Sequence, residues 1–181
     1  MLAAIIAIFA VIADQITKYL VVENFELYEV KPFIPYVMSL KYTQNRGAAF
    51  SMLSDQRWVF MVLSTVAMGL MIYILIKEYR RHPLLNISLS MVLGGGIGNM
   101  IDRVRLEYVV DFFRFDFVDF AIFNVADCFI TIGAVLMMVY IIFFEPKVEK
   151  RIQAELCEKQ NNTENQQNLQ TDTPERGNEN G

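Results

Sequence analysis

The chain has 181 residues, of which 54% are hydrophobic, and its mean hydropathy is +0.32, which is too apolar for an ordinary soluble domain of this length. The formal net charge of −4 gives no sign of the basic face that nucleic-acid binding requires. Composition therefore predicts an integral membrane protein without a nucleic-acid partner.

Four stretches are long and apolar enough to cross a bilayer, which takes about 20 residues. Helix is the expected conformation, because backbone polar groups in lipid must be satisfied within the segment. The stretches are residues 1–22, 58–76, 84–101 and 120–144. The first also has the length of a signal peptide, but no basic residue precedes it and its helical pattern continues through Lys18, so we expect it to be retained.

Basic residues in short loops set the expected orientation. Three of them lie in the loop at residues 77–82, and three more follow the fourth helix: Lys147, Lys150 and Arg151. The positive-inside rule places both segments, and therefore both chain termini, in the cytoplasm. The loops before helices two and four then face outward.

The end of the chain differs from the rest in composition. Residues 157–181 are polar and low in complexity, with too few large apolar groups to offset the cost of ordering. We expect a four-helix transmembrane domain at residues 1–156 and a disordered cytoplasmic tail at residues 157–181.

Unusual polar residues gather at the outer end of the predicted bundle. Helical spacing places Asp14 with Lys18, Asn99 with Asp102 and Arg103, and Asn124 with Asp127 on shared faces. Asp127 is expected about two turns, roughly 10 Å, into helix four. A carboxylate there should face the bundle interior, either as a functional group or in a structural ion pair with Arg103 or Lys18.

The residue types at this end restrict the possible chemistry. The single histidine, His82, belongs to the cytoplasmic loop, which excludes Ser-His and Cys-His catalysis at the outer site. Cys128 and Cys157 lie on opposite sides of the membrane and cannot share a zinc ion. We therefore expect neither a metal nor a cofactor.

Carboxylates remain, and two of them sharing one proton can activate water and protonate a leaving amine. Asp127 is one candidate. The residues alone leave its partner open among Asp102, Asp111, Asp116 and Asp119.

Five short motifs occur in order between about residue 8 and residue 145. They are Asp14-Gln15-Ile16-Thr17-Lys18, Asn45-Arg46-Gly47-Ala48-Ala49-Phe50, Gly95-Gly96-Ile97-Gly98-Asn99-Met100-Ile101-Asp102-Arg103, Val109-Val110-Asp111-Phe112 and Phe123-Asn124-Val125-Ala126-Asp127. Together they resemble the lipoprotein signal peptidases of bacteria, also called signal peptidase II.

The resemblance implies an aspartic endopeptidase of the bacterial inner membrane. Its substrate would be a prolipoprotein carrying diacylglycerol on a cysteine, and the cut would fall just before that cysteine. Asp111 and Asp127 would be catalytic, and the residues supporting the pair or the substrate would be Asp14, Lys18, Asn45, Gly47, Asn99, Asp102, Arg103 and Asn124. The family also implies a small extracytoplasmic β-region after helix one, for which the alternating run at residues 37–50 is suitable.

Membrane lipid and globomycin-like cyclic peptide inhibitors, the latter at the aspartate pair, would be further partners of an enzyme that we expect to be a monomer. The chain departs from the family pattern at Glu107, where glycine is usual and would permit a positive φ. The stretch at residues 113–122 is also short. Phenylalanines from Phe112 to Phe123 suit either a wall against acyl chains or an interfacial aromatic belt.

Two other functions use the same residues. A small proton-coupled transporter could relay protons through Asp127, Asp14 and Lys18, but it would need polar residues through the full membrane depth. Other aspartyl membrane proteases carry Gly-x-Gly-Asp, whereas this chain has Gly96-Ile97-Gly98-Asn99.

Overall fold

The computed structural model describes residues 2–47, 57–79 and 81–171, which form two compact units at residues 1–140 and 141–181. Helices and strands follow in this order: α1 Leu2–Asn24, β1 Val30–Ile34, β2 Met38–Asn45, α2 Arg57–Lys77, α3 Pro83–Arg105, β3 Val109–Phe115, α4 Val125–Val139, a π-helix at Tyr140–Phe144 and α5 Glu145–Thr171.

Three helical segments are long and apolar enough to cross a membrane. They are α1, α3 and the segment Val125–Asn161, while Met61–Lys77 in α2 is a shorter apolar helix. The protein is thus mostly helical, as the sequence predicts. A fourth membrane helix stays a prediction.

Helix four begins five residues later than the apolar stretch suggested. Asn124 has an extended backbone and caps α4, since its side chain accepts from Asp127 N while the Asp127 side chain accepts from Asn124 N. This reciprocal capping box fixes where the helix begins. Before it, Phe123 pairs with Phe113 through backbone hydrogen bonds, so the predicted start at residue 120 is wrong.

The three strands form one antiparallel sheet in the order β1-β2-β3. The resemblance predicts a β-region only between helices one and two, but β3 comes from the chain between α3 and α4. Within the run at residues 37–50, Met38–Asn45 form β2, but its buried residues, Ser39 and Tyr42, do not alternate. Residues 48–50 lie outside the described part. Pairing of Thr43 with Asp111 brings the end of β2 to the middle of β3.

Glycines on α3 let α1 and α4 approach closely, as the glycine run predicts. A Cβ added at Gly94 would lie 2.7 Å from the Ala10 Cβ on α1, and one at Gly95 would lie 2.5 Å from the Ala126 carbonyl oxygen on α4. At these two glycines α1 and α4 therefore pack directly against the backbone of α3.

The second unit contains α5, which continues to Thr171 through a segment for which we expected no regular structure. Glu, Lys and Gln residues have good helix propensity, which accounts for the helix without any core. Its described side chains from residue 151 to 161 are all exposed. Disorder of the remaining tail stays a prediction.

Candidate active site

Asp111 and Asp127 lie on two different elements, β3 and α4, and line the same cavity. Asp111 is buried in the middle of β3 with 3% of its surface exposed. Asp127 lies in the first turn of α4 and is half-buried. The expected depth of two turns is therefore wrong, because the cap at Asn124 starts the helix later than its apolar residues suggest.

Three asparagine side chains connect the two carboxylates. Asn124 Nδ2 donates to Asp111 Oδ1 at 2.7 Å, and Asn45 Nδ2 donates to Asp111 Oδ2 at 2.9 Å. Asn99 Nδ2 donates to Asp127 Oδ1 at 2.9 Å, while its own Oδ1 accepts from Asn124 Nδ2 at 3.0 Å. Each aspartate is thus oriented by neutral amide donors.

Behind the amides, the buried ammonium of Lys18 is surrounded by acceptors. Lys18 Nζ lies 2.9 Å from Asp14 Oδ2, 3.0 Å from Asp102 Oδ2 and 2.8 Å from Asn99 Oδ1. The predicted pairing of Asp14 with Lys18 is therefore present. A buried ammonium with its three donors used requires such partners, because an unpaired charge would be costly to bury.

The same network holds the backbone next to each candidate aspartate. Asp14 Oδ1 accepts from Ala126 N at 2.9 Å, one residue before Asp127. Asp102 Oδ2 accepts from Val110 N at 3.1 Å, one residue before Asp111. The buried charges of α1 and α3 thus fix the two chain segments that carry the pair.

Gln15 belongs to this network, although sequence analysis did not select it as a site residue. Its Nε2 donates to Asp102 Oδ1 at 3.0 Å, and to Asp14 Oδ2 and the Gly98 carbonyl at 3.2 Å. The sequence feature that could have indicated Gln15 is its position between Asp14 and Lys18. Periodicity alone could not show that Gln15 points toward α3.

A cavity of about 660 Å³ opens in front of both aspartates. Arg103 is half-buried at its edge, and its Nη1 donates to the Asn99 carbonyl at 3.3 Å. Gly47 donates its N–H to Asn45 Oδ1 at 3.0 Å. The cavity is lined by Asn45, Gly47, Arg103, Asp111, Phe115, Phe120, Ala121, Ile122, Phe123, Asp127, Cys128, Thr131 and Ile132.

Burial, together with the negative charge of Asp127, raises the pKa of Asp111 from 3.8 to about 7. Hydrogen bonds from Asn45 and Asn124 and the positive charge of Lys18 act in the opposite direction. Asp111 is therefore a carboxyl that changes protonation near neutral pH.

Other sequence candidates lie apart from the pair. Asp116 and Asp119 are exposed, and Asp116 Oδ1 accepts from Ser39 Oγ at 2.7 Å. Asp127 has amide partners in place of the ion pair with Arg103 or Lys18 that was the structural alternative. Within the described ranges, no three His, Cys, Asp or Glu side chains are grouped to hold a metal ion.

Of the phenylalanines from Phe112 to Phe123, some lie in the hydrophobic core and others line the cavity. Phe112 is buried in a cluster with Val21, Tyr42 and Val110. Phe115 packs against the rings of Phe117, Phe120 and Phe123 at centroid distances of 5.3 to 6.0 Å. Part of this segment therefore forms one wall of the cavity.

Comparison with known proteins gives a consistent result. The family model described as signal peptidase (SPase) II matches residues 6–143. Lipoprotein signal peptidases of Streptococcus pyogenes serotype M1 and of serotype M5 (strain Manfredo) are each 50% identical over 136 residues, which covers 73% of this chain and 87% of theirs.

Two solved structures of bacterial membrane enzymes, both obtained by the in meso method, have a similar fold. One superposes with a TM-score of 0.74 at 32% identity, covering 77% of this chain and 86% of its own. The other gives a TM-score of 0.73 at 31% identity, covering 78% and 93%.

Proposed function

The chain belongs to the signal peptidase II family, and we propose that Asp111 and Asp127 form its catalytic pair. It is an aspartic peptidase that removes signal peptides from prolipoproteins. The observation that carries the proposed pair is the cavity that both carboxylates line, together with the amide bridge through Asn124 and Asn99.

In the proposed reaction the two aspartates share one proton. Asp111, whose pKa is raised to about 7, supplies the protonated carboxyl that hydrogen-bonds to the scissile carbonyl. Asp127 takes a proton from the attacking water, and that proton then passes to the leaving amine.

The supporting residues have separate tasks in this proposal. Asn45, Asn99 and Asn124 orient the carboxylates, while Asp14, Lys18 and Asp102 hold the chain segments that carry them. Arg103 contributes positive charge at the edge of the cavity, and Gly47 holds Asn45 through its N–H.

The substrate that we propose is a prolipoprotein with diacylglycerol on the cysteine that follows the cut. Along α4 the cavity is lined by Cys128, Thr131 and Ile132, a largely apolar surface suited to lipid. Globomycin-like cyclic peptides would occupy the same cavity and block the pair. One chain contains the whole proposed site, which supports a monomer.

We further propose four membrane helices, with both termini in the cytoplasm and the active site near the outer face of the inner membrane. This orientation rests on the basic residues that follow α2 and α4. A transporter is less well supported, because the buried charges Asp14, Lys18 and Asp102 gather in one network and do not extend along the helices.

The decisive experiment incubates purified protein in detergent with a lipid-modified prolipoprotein and measures release of the signal peptide. Asp111→Asn and Asp127→Asn should each lower the rate by about 10²–10⁴-fold, since each removes a titrating group and keeps its size. The double variant should be little worse than either, because the two groups act as one unit.

Glu26→Gln, which changes an exposed carboxylate before β1, is the matched control. Substantial cleavage by folded Asp111→Asn would move the partner role to Asp102, Asp116 or Asp119. The same result for Asp127→Asn would end the proposed mechanism.

A further inference from the structure

A second cavity, of about 550 Å³, adjoins the one that contains the aspartates. Phe115, Phe120 and Ile122 line both cavities, so the two share a wall. The lining of the second cavity is otherwise mostly polar: Lys41, Arg114, Asp116, Phe117, Val118 and Asp119. A substrate that extends beyond the first cavity can therefore continue into a polar environment.

Two basic side chains of this cavity have no partner in the described part of the chain. Lys41 on β2 and Arg114 on β3 are half-buried, and neither makes a side-chain hydrogen bond or ion pair there. Partly buried cations normally have partners, because their desolvation is otherwise uncompensated. Their donors are thus available to a ligand.

The acidic groups of the cavity lie at its exposed side. Asp116 and Asp119 are exposed, and Asp116 keeps one oxygen on Ser39. A lining with both donors and acceptors matches the carbonyl and N–H groups of an extended polypeptide better than it matches a simple anion, which the carboxylates would repel.

The position of the cavity along β3 indicates which part of a substrate would reach it. Arg114 follows Asp111 by three residues on β3, so their Cα atoms are about 10 Å apart at roughly 3.3 Å per residue, and Phe115, on the same face of the strand as Asp111, lines both cavities. An extended substrate covers that distance with about three residues. A signal peptide is apolar and would not suit this lining, whereas the soluble chain beyond the cut would.

We propose that the cavity at Lys41, Arg114, Asp116 and Asp119 is a subsite for the backbone of the mature segment, about three residues beyond the scissile bond. Contacts to backbone atoms would serve prolipoproteins that differ in sequence at these positions. The proposal rests on the proposed function, since it extends the same substrate-binding path.

The test compares two lipid-modified substrates. The short one ends two residues after the scissile bond and the long one continues for eight residues with alanine and serine. The measured quantity is the ratio of kcat/KM for the long over the short substrate. Arg114→Gln and Lys41→Met should each lower this ratio about tenfold, the effect of losing one hydrogen bond to a charged group. Arg105→Ala, which removes an exposed basic residue at the end of α3, should keep the wild-type ratio.

An unchanged ratio in both variants overturns the subsite, and so does an equal loss on both substrates. A loss that appears only in vesicles containing phosphatidylglycerol, whatever the substrate length, would instead assign the cations to a lipid phosphate. Failure of the proposed function is a different result: wild type would then cleave neither substrate, or Asp111→Asn would still cleave the short one.

Discussion

Asp127 combines two roles at the start of α4. Its Oδ2 accepts from Asn124 N in the capping box, and its Oδ1 accepts from Asn99 and belongs to the cavity wall. A carboxylate in the first helical turn also faces free backbone N–H groups. The side chain that we propose as the base is therefore placed by the same bonds that begin the helix.

The protonation of Asp111 predicts how cleavage depends on pH. The proposed reaction uses protonated Asp111, so kcat/KM should fall as pH rises through about 7, where its pKa lies. Asn45→Ala removes a hydrogen bond that lowers this pKa, so the midpoint of the fall should move to higher pH. A pH–rate profile of both proteins measures this shift.

Gln44→Ala, which alters the neighbouring side chain bonded to Tyr42, serves as the control for the profile. A midpoint that stays in place or moves downward in Asn45→Ala would contradict the assignment. Stability has the matching sign: because folding raises the pKa of Asp111 above 3.8, the free energy of unfolding should fall between pH 3.8 and about 7. Asp111→Asn should remove that fall in thermal melts.

The backbone conformation at Glu107 predicts that the protein is more stable with glycine than with alanine at this position. Its φ is 69°, a left-handed conformation that costs a residue with a Cβ about 1–2 kcal/mol and that glycine adopts without this cost. Glu107→Gly should therefore unfold at a higher temperature than Glu107→Ala. Both variants lose the same carboxylate, so their difference isolates the backbone. Equal melting temperatures for the two would show that φ at this position carries no strain.

At the scale of elements, the close approach of α3 to α4 beside Asp127 depends on Gly95. A Cβ at Gly95 would lie 2.5 Å from the Ala126 carbonyl oxygen, next to Asp127, whereas one at Gly96 would meet only Met68 atoms at 3.6 Å. Gly95→Ala should destabilise the protein by about 1–3 kcal/mol and lower cleavage, because α4 must shift.

Gly96→Ala is the matched control on the adjacent position and should be close to wild type in both measurements. Thermal unfolding in detergent and signal-peptide release would be recorded for the two variants side by side. Equal behaviour of Gly95→Ala and Gly96→Ala would mean that close approach of the helices does not matter to the site.

Much of the fold could be predicted because membrane helices are marked by apolar length alone. The first three stretches begin and end within a few residues of α1, α2 and α3. The start of α4 was missed because Phe123 and its neighbours are as apolar as a helix, yet they pair with β3. The third strand was missed for a related reason, since its partners lie on β2, far away in the chain.

The candidate site was predictable only in part. Shared helix faces grouped Asn99 with Asp102, and Asp14 with Lys18. The bonds from Asp14 to Ala126 N and from Asp102 to Val110 N join different elements and follow from the packing of α1, α3 and α4. Spacing along one helix carries no information about such contacts.

At the scale of the whole molecule, the proposed orientation predicts where a label will react. A cysteine introduced at Arg81, in a background without Cys128 and Cys157, should be labelled only after the inner membrane is permeabilised, since the loop after α2 is cytoplasmic in this proposal. A cysteine at Tyr36, which is 93% exposed between β1 and β2, should react from outside in the same background. The reverse pattern would invert the topology.

The tail should be dispensable for cleavage. Truncation after Gln160 removes a segment too polar to pack against an apolar bundle, and the side chains that precede it, at residues 151–160, are exposed. Rates of signal-peptide release at equal protein levels should match between truncated and full-length chains. A truncated protein that is well expressed but inactive would assign a function to residues 161–181.

During synthesis of the chain, Asp14 is available to pair with Lys18 before α3 is made. Asn99, a later partner of Lys18, is 81 residues downstream, whereas Asp14 is one helical turn away and already present when α1 leaves the ribosome. The nascent α1 can therefore enter the bilayer carrying its own counter-charge, without waiting for α3. The amides and backbone contacts that orient the two aspartates come only with α3, β3 and α4. A partly made chain would therefore balance the charges of Asp14 and Lys18 within α1 before the proposed catalytic pair has any of its partners.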